Sequence, residues 1–225
     1  MTKGRFMEPS FWHERWHKGD IGFHRDAAHT ALDSHWSALG IAPPAVVFVP
    51  LCGKSLDMAW LAGKGYRVLG VELSQFAIDA FFDSQNLTPT TRRQGAFTVS
   101  AAGPYELWCG DLFALPADAL HEIAAVYDRA SLVALPPATQ SAYADWLPRM
   151  TGKAPILLVG LAYDESEMDG PPFSIPQNRI RQLLGANYDI DVLSDEDVMQ
   201  ANAGMKKRGL TALQETVYRA RRIRE

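Results

Sequence analysis

Four features of this chain are of types, and at spacings, that could do chemistry. They are a lone glycine in a tight turn (Gly53), an acid closing an apolar run (Glu72), an adjacent acid and arginine (Asp128 and Arg129), and an H-E-x-x-H pattern through His13, Glu14 and His17. The first two belong together. Over residues 45–74, AVVFVPLCGKSLDMAWLAGKGYRVLGVELS, a β-branched run ends at Pro50, a short turn holds Leu51, Cys52 and Gly53, and a helical pattern opens at Ser55. A second apolar run, 66–71, closes on Glu72. Strand, turn, helix and strand ending in an acid make the first half of a nucleotide-binding α/β unit. Gly53 lets a ligand approach the backbone without a Cβ in the way. Glu72, 19 residues further on, stands where such units place the acid that accepts from ribose hydroxyls. A dinucleotide site needs G-x-G-x-x-G to seat a pyrophosphate, whereas residues 49–54 read VPLCGK and keep a single glycine. A ligand with adenosine and no pyrophosphate fits this turn better, and S-adenosylmethionine is the common example. The plain alternative is an α/β core in which Glu72 ends a strand in solvent.

The other chemical residues are weighed in the same way. A third apolar run, 105–109, ends at Gly110-Asp111-Leu112, beside which an adenine would lie; Asp111 either accepts from its exocyclic amine or caps the next turn. A fourth run, 124–127, delivers Asp128 and Arg129 to the carboxyl end of a central strand, where open α/β sheets place ligand contacts; a structural Asp-Arg ion pair is the alternative. H-E-x-x-H on a helix can hold zinc for a hydrolase, with the glutamate as base. The extended form of that motif needs a glycine and a third histidine at set distances, and Gly19, Gly22 and His24 all miss them. The acidic loop 164–170, DESEMDG, lacks the frame and closing glutamate of a calcium loop and reads as a solvated turn.

The elements that must position these groups follow from periodicity. Trp12 and Trp16, four apart, share one face if residues 11–23 begin as a helix. Ala28, Leu32, Trp36 and Leu39 mark an amphipathic helix over 27–39, stopped by Gly40 and Pro43-Pro44. Ser74 opens a helix with Ile78, Phe81 and Phe82 inward, and 86–103 is polar and irregular, a surface excursion. Pro136-Pro137 starts a helix with Tyr143, Trp146, Leu147 and Met150 inward, and 156–162 is apolar throughout, as a strand covered on both faces should be. GPPFSIP, 170–176, leads into a helix with Ile180, Leu183 and Leu184. Segments 189–193 and 210–218 are short antiparallel strands at one sheet edge, and the arginines of 219–224 a solvated basic tail.

Composition narrows the classes. At 225 residues, with 47% hydrophobic and 21% charged, the chain has the length and balance of one globular domain. A net charge of −4 argues against nucleic acid or an anionic membrane as partner. Cys52 and Cys109 are too few for a disulfide framework and read as small buried apolar residues. With no apolar leader or run of membrane-spanning length, the expectation is a cytoplasmic protein, and nothing demands more than a monomer.

Several of these segments, in this order, resemble the thiopurine S-methyltransferase family in its bacterial form: FWHERWHKGDIGF, VPLCGKSLDMAWLAGKGYRVLGVELS, YDRASLVAL and GPPFSIP. The resemblance spans nearly the whole chain. It implies a Rossmann-like class I S-adenosylmethionine-dependent fold, a seven-stranded, mostly parallel sheet with helices on both faces, in one domain whose residues 1–40 form a lid and helix over the active site. It implies methyl transfer from S-adenosylmethionine to the sulfur of thiopurines and related aromatic thiols, extending to selenium and tellurium species. Trp12 and the leader would cover the donor, Leu51 and Glu72 contact it, Asp111 and Leu112 lie near its base, Phe23 faces the acceptor, and Arg129 touches both. Trp12 and Trp16 offer aromatic faces to the sulfonium, Gly53 the close backbone approach, and Arg129 a cation that stabilises a thiolate or selenolate. Mammalian relatives carry a second acceptor-side arginine where this chain has Gly204, with Lys206, Lys207 and Arg208 nearby. Beside a methyltransferase stand two other readings, zinc hydrolysis through His13, Glu14 and His17, and a catalytically silent S-adenosylmethionine-binding module.

Overall fold

The computed structural model describes residues 9–223. Among them, nine strands form one sheet: β1 Val46–Pro50, β2 Arg67–Glu72, β3 Thr90–Gln94, β4 Phe97–Ala102, β5 Tyr105–Cys109, β6 Ile123–Arg129, β7 Ile156–Ala162, β8 Tyr188–Asp197 and β9 Gln214–Arg222. Their spatial order is β3-β4-β5-β2-β1-β6-β7-β9-β8. The strands from β5 to β7 pair in parallel, and the two flanks are antiparallel. The seven expected strands are thus present, and the hairpin β3-β4 extends the sheet by two more.

That hairpin corrects the reading of 86–103 as irregular. Every residue of β3 but Gln94 is exposed, so an apolar period has nothing to register there, while Phe97 and Val99 of β4 are buried. Gly95, with φ 58°, supplies the left-handed residue of the two-residue turn between them. The edge strands β3 and β8 carry Arg92 and Arg93, and Asp189, Asp191, Asp195, Glu196 and Asp197, charges that blunt pairing with another chain.

The core strands alternate cleanly between two cores. Phe48, Leu69, Val71, Val126 and Leu158 face helices α5 Pro137–Met150 and α6 Gln177–Leu184 through Tyr143, Leu147, Ile180 and Leu184. Val47, Val49, Val68, Tyr127 and Leu157 face the other layer, α2 Thr30–His35, α3 Leu56–Gly63 and α4 Gln75–Ser84, through Leu32, Met58, Leu61, Ile78 and Phe81. Burial on both faces is why β1 reads as an unbroken apolar run. Ser55 and Ser74 cap α3 and α4 as expected, each hydroxyl accepting from a main-chain N–H of its first turn. The predicted helix over 27–39 is shorter. His29 caps it, its Nδ1 accepting from Ala31 N–H, and residues Trp36–Leu39 tighten into a 3-10 turn that ends at Gly40 with φ 68°.

The supposed basic tail is sheet. Arg219 and Arg221 lie in β9 and hold Asp191 of β8 at 2.9 and 3.2 Å, and Arg219 also donates to the Ala38 carbonyl at 3.1 Å; Arg224 lies outside the described residues. No described helix is long and apolar enough to cross a membrane.

From β1 the chain runs outward to β2 and later β5, then returns to place β6 on the opposite side of β1. The order therefore reverses between β1 and β6, and open α/β sheets bind ligands in the crevice at the carboxyl ends flanking such a reversal.

Candidate active site

Three strand tips build the site. At the end of β1, Leu51 and Gly53 have φ of 45° and 52°; at the end of β6, Ala130 has φ 61°. Left-handed backbone is costly for Leu51 and Ala130, and such strain persists only where surrounding structure holds it. Here the Ser131 hydroxyl donates to the Pro50 carbonyl at 2.6 Å and ties the two tips together. Leu51, Gly53 and Ala130 all line one cavity of about 890 Å³.

Glu72 closes β2 inside this cavity wall, so it does not end a strand in solvent. Its Oε2 accepts from Gly53 N–H and its Oε1 from Ser74 N–H, both at 2.9 Å, and the Trp16 side chain also hydrogen-bonds it. Burial pushes its pKa up from the usual carboxylate value, and these donors hold the rise back. The turn and the acid are one unit: Gly53 gives close approach and hands its N–H to the carboxylate.

Helix α1 Pro9–Lys18 seats the leader on that unit. Trp16 is buried, and a Cβ added at Gly53 would lie 2.9 Å from its ring. Phe23 meets Trp16 and Trp12 edge to face at 5.4 and 6.0 Å, so the predicted leader aromatics form one cluster over the turn. Trp12, Trp16 and Phe23 all line the cavity.

Arg129 lines the same cavity. Its Nε donates to Asp57 Oδ2 at 2.5 Å and its Nη2 to Ser55 Oγ at 3.2 Å. Asp57 Oδ1 accepts from His29 N–H at 2.8 Å. Burial alone would raise the Asp57 pKa, but the Arg129 charge and the His29 N–H bring it below the usual value. Burial likewise opposes the Arg129 charge, and Asp57 more than restores it. The partner of Arg129 is therefore Asp57 and not its neighbour Asp128. Successive strand residues point to opposite faces, and Asp128 is turned away to accept from Tyr143 Oη at 2.7 Å and Leu132 N–H at 3.1 Å.

Asp111 accepts from Phe113 N–H at 3.0 Å and caps a 3-10 turn, the second of its two readings, and it also lines the cavity; Leu112 is buried beside it. Cys52 is buried with its thiol pKa pushed well up by desolvation, and Cys109 is pushed to about 11, which suits apolar packing. Of the basic residues near Gly204, Arg208 lines the cavity, its guanidinium donating to the Pro171 carbonyl at 2.9 Å, while Lys206 and Lys207 stay outside.

The model of the family described as thiopurine S-methyltransferase (TPMT) matches residues 7–223. The chain belongs to that family. The thiopurine S-methyltransferase of Pseudomonas fluorescens (strain Pf0-1) is 45% identical over 217 residues, covering 96% of this chain and 100% of the relative. That of Methylococcus capsulatus is 43% identical over 215 residues, covering 94% and 96%. Among solved structures, a Burkholderia thailandensis 1,6-didemethyltoxoflavin-N1-methyltransferase, with S-adenosylhomocysteine bound, has a TM-score of 0.62 at 16% identity, covering 96% of this chain and 87% of its own. An S-adenosylmethionine-dependent methyltransferase from Anabaena variabilis scores 0.64 at 13% identity, covering 96% and 95%. At that identity the likeness is one of fold, the class I methyltransferase sheet.

Within this thiopurine S-methyltransferase-family chain, the H-E-x-x-H residues do lie on a helix but do not converge. Glu14 pairs with Lys18 at 3.3 Å, and His17 stacks on Phe76 and meets the His13 carbonyl at 2.7 Å. None of the three lines the cavity. Reading by sequence missed Asp57, His29 and Glu215. The first is an acid in the opening turn of a helix, with nothing in its neighbourhood to announce a partner 72 residues away. Glu215 did carry a signal: it shares a face of β9 with the buried Val217, and an acid at such a position is informative.

Proposed function

We propose that this chain moves the methyl group of S-adenosylmethionine to the sulfur of thiopurines and related small aromatic thiols. The observation that carries this reading is the gathering, in one cavity, of the Gly53–Glu72 unit and of Arg129, which Asp57 and Ser55 hold at the start of the helix that follows Gly53. The residues fit the donor. A buried carboxylate retains lone pairs beyond those used by Gly53 and Ser74 and can accept from ribose hydroxyls, sharing with or displacing Trp16. Leu51 and Gly53 would lie along the donor, Asp111 and Leu112 beside its base, and Trp12 and Trp16 against its positive charge, a contact worth about 0.5–2 kcal/mol.

S-adenosylmethionine supplies a methyl already activated on a sulfonium, so the protein's task is placement and charge. Arg129 is held by Asp57 and Ser55 through two of its N–H groups, which leaves donors for a thiolate in the cavity it lines. Its charge lowers the acceptor's pKa, and its fixed position aligns the sulfur, the two contributions such a transfer needs. Phe23 would face the acceptor. Selenium and tellurium acceptors come within reach because the same cation stabilises their anions. We place the enzyme in the cytoplasm, working as a monomer and as one domain with residues 1–40 as its lid, on small-molecule thiol or selenol acceptors rather than nucleic acid or membrane.

Calorimetric titration with S-adenosylhomocysteine, followed by assay of a thiopurine, tests the reading. Binding with turnover is the expected result. Binding without turnover on any thiol or selenol would make the chain a silent module, and no binding at high micromolar ligand would end the proposal. The site assignment predicts a split: Glu72→Ala weakens donor binding, whereas Arg129→Ala lowers kcat on the order of 100-fold with a smaller change in donor affinity.

A further inference from the structure

Glu215 is a carboxylate where β9 would otherwise present an apolar side chain, and the mechanism above leaves it without a task. It lines the same cavity as Arg129, among Leu161, Pro171 and Leu213. Its side chain is 15% exposed. Two side chains fix it. His29 is buried with Nδ1 accepting from Ala31 N–H, which leaves Nε2 as the nitrogen that carries hydrogen, and Nε2 lies 3.2 and 3.3 Å from the two Glu215 oxygens. Arg25 stands 3.9 Å from Oε2. The backbone N–H of the same His29 holds Asp57, the counterion of Arg129. One residue thereby positions a fixed carboxylate and, through Asp57, a fixed guanidinium in one cavity. Burial works against the Glu215 charge, but His29, Arg25 and Arg129 keep its pKa below the usual value, so it stays an acceptor of hydrogen bonds.

We infer that Glu215 is the acceptor-side recognition group and proton acceptor, selecting heteroaromatic thiones that carry a ring N–H beside the sulfur. This rests on the methyl-transfer reading above. Apolar walls suit a flat ring, and an Arg129 donor with a Glu215 acceptor matches the two polar atoms of an HN–C=S unit. In the step, such a thione reacts in its neutral form with Arg129 donating to its sulfur, where a plain aromatic thiol reacts as the thiolate; a sulfur lone pair forms the new S–CH3 bond as the sulfonium C–S bond breaks and leaves a neutral thioether. The ring N–H acquires the positive charge lost by the sulfonium, and its proton passes to Glu215 and from there to solvent, giving a neutral S-methylated ring. A strong base is not required, because the N–H becomes acidic as the methyl arrives; a carboxylate that stays ionised is what stabilises that developing charge.

The test compares 6-mercaptopurine with thiophenol, which has no ring N–H, in wild type and Glu215→Gln. The thiopurine-to-thiophenol ratio of kcat/KM should fall on the order of 10- to 100-fold in the variant. Calorimetry with S-adenosylhomocysteine present should show weaker 6-mercaptopurine binding, with S-adenosylhomocysteine affinity retained. An unchanged ratio overturns the inference. A second arm needs no variant: on the wild-type enzyme, 6-mercaptopurine methylated at N1, the ring nitrogen bonded to the C–S carbon, should lose a comparable factor, and equal rates for blocked and unblocked rings would also sink it. If wild type methylates neither acceptor, the methyl-transfer reading fails and this falls with it; if 6-mercaptopurine is methylated but the ratio stays put, only the role of Glu215 falls.

Discussion

Asp57 is buried in the opening turn of α3 and meets a guanidinium across the switch point. The pair stabilises the fold only as a pair. Removing one partner leaves a desolvated charge, and the expected cost of Asp57→Asn is about 3 kcal/mol, at the low end for a buried pair because Arg129 borders the cavity. The sign of its pH dependence follows from the lowered pKa: Asp57 contributes fully above the ordinary carboxylate range and loses its contribution as pH falls through its folded-state value. Denaturant melts of wild type and Asp57→Asn should therefore converge as the solution is acidified below pH of about 4. A constant gap between the two would mean the pair is not what the substitution disturbs. Glu72 has the opposite sign, its raised pKa making burial of its charge a cost that grows as pH climbs past the ordinary range. That cost fits the proposal that Glu72 serves a ligand and not the core.

At the scale of elements, α1 rests on the β1 turn through Trp16. Gly53 needs to be glycine twice over, for its positive φ and for the Trp16 ring that a Cβ would approach to 2.9 Å. Gly53→Ala should cost about 1–2 kcal/mol from left-handed backbone alone, with a further penalty for displacing Trp16. A double-mutant cycle with Trp16→Ala separates the two. Because removing the indole relieves only the second, the combined loss should be smaller than the sum of the single losses by about 0.5–1 kcal/mol. Strict additivity would show that the helix does not rest on the turn.

For the molecule as a whole, two layers of helices pack on the parallel core, while α1 meets the strand tips through Trp16 alone, at Gly53 and Glu72, among the contacts described. Ligand binding should reveal the difference. S-adenosylhomocysteine at about 100 times its Kd should add about 2.7 kcal/mol of stability by mass action. Hydrogen exchange should show the added protection concentrated in Pro9–Lys18 and in the turns after β1 and β6. A rise in Tm with no change in the helix amides would overturn the proposal that α1 covers the donor.

Local chemistry in the chain was enough for the strand-turn-helix unit, its caps at Ser55 and Ser74, the acid at position 72, and the arginine at the end of a buried strand, because each depends on neighbours within a turn or on the two-residue period of a strand. It was enough for the ligand class too, since a turn with one glycine has no cradle for a pyrophosphate. It was silent on the hairpin β3-β4, whose solvated edge strand has no apolar period, and it mistook β9 arginines for a tail because their partner, Asp191, lies on another strand. Only the folded sheet brought Asp57 to Arg129 and His29 to Glu215, across 72 and 186 residues. Charge pairing of that kind leaves no periodic mark along a chain, and it exists only where a crossover has set two strand tips and a capped helix around the same cavity.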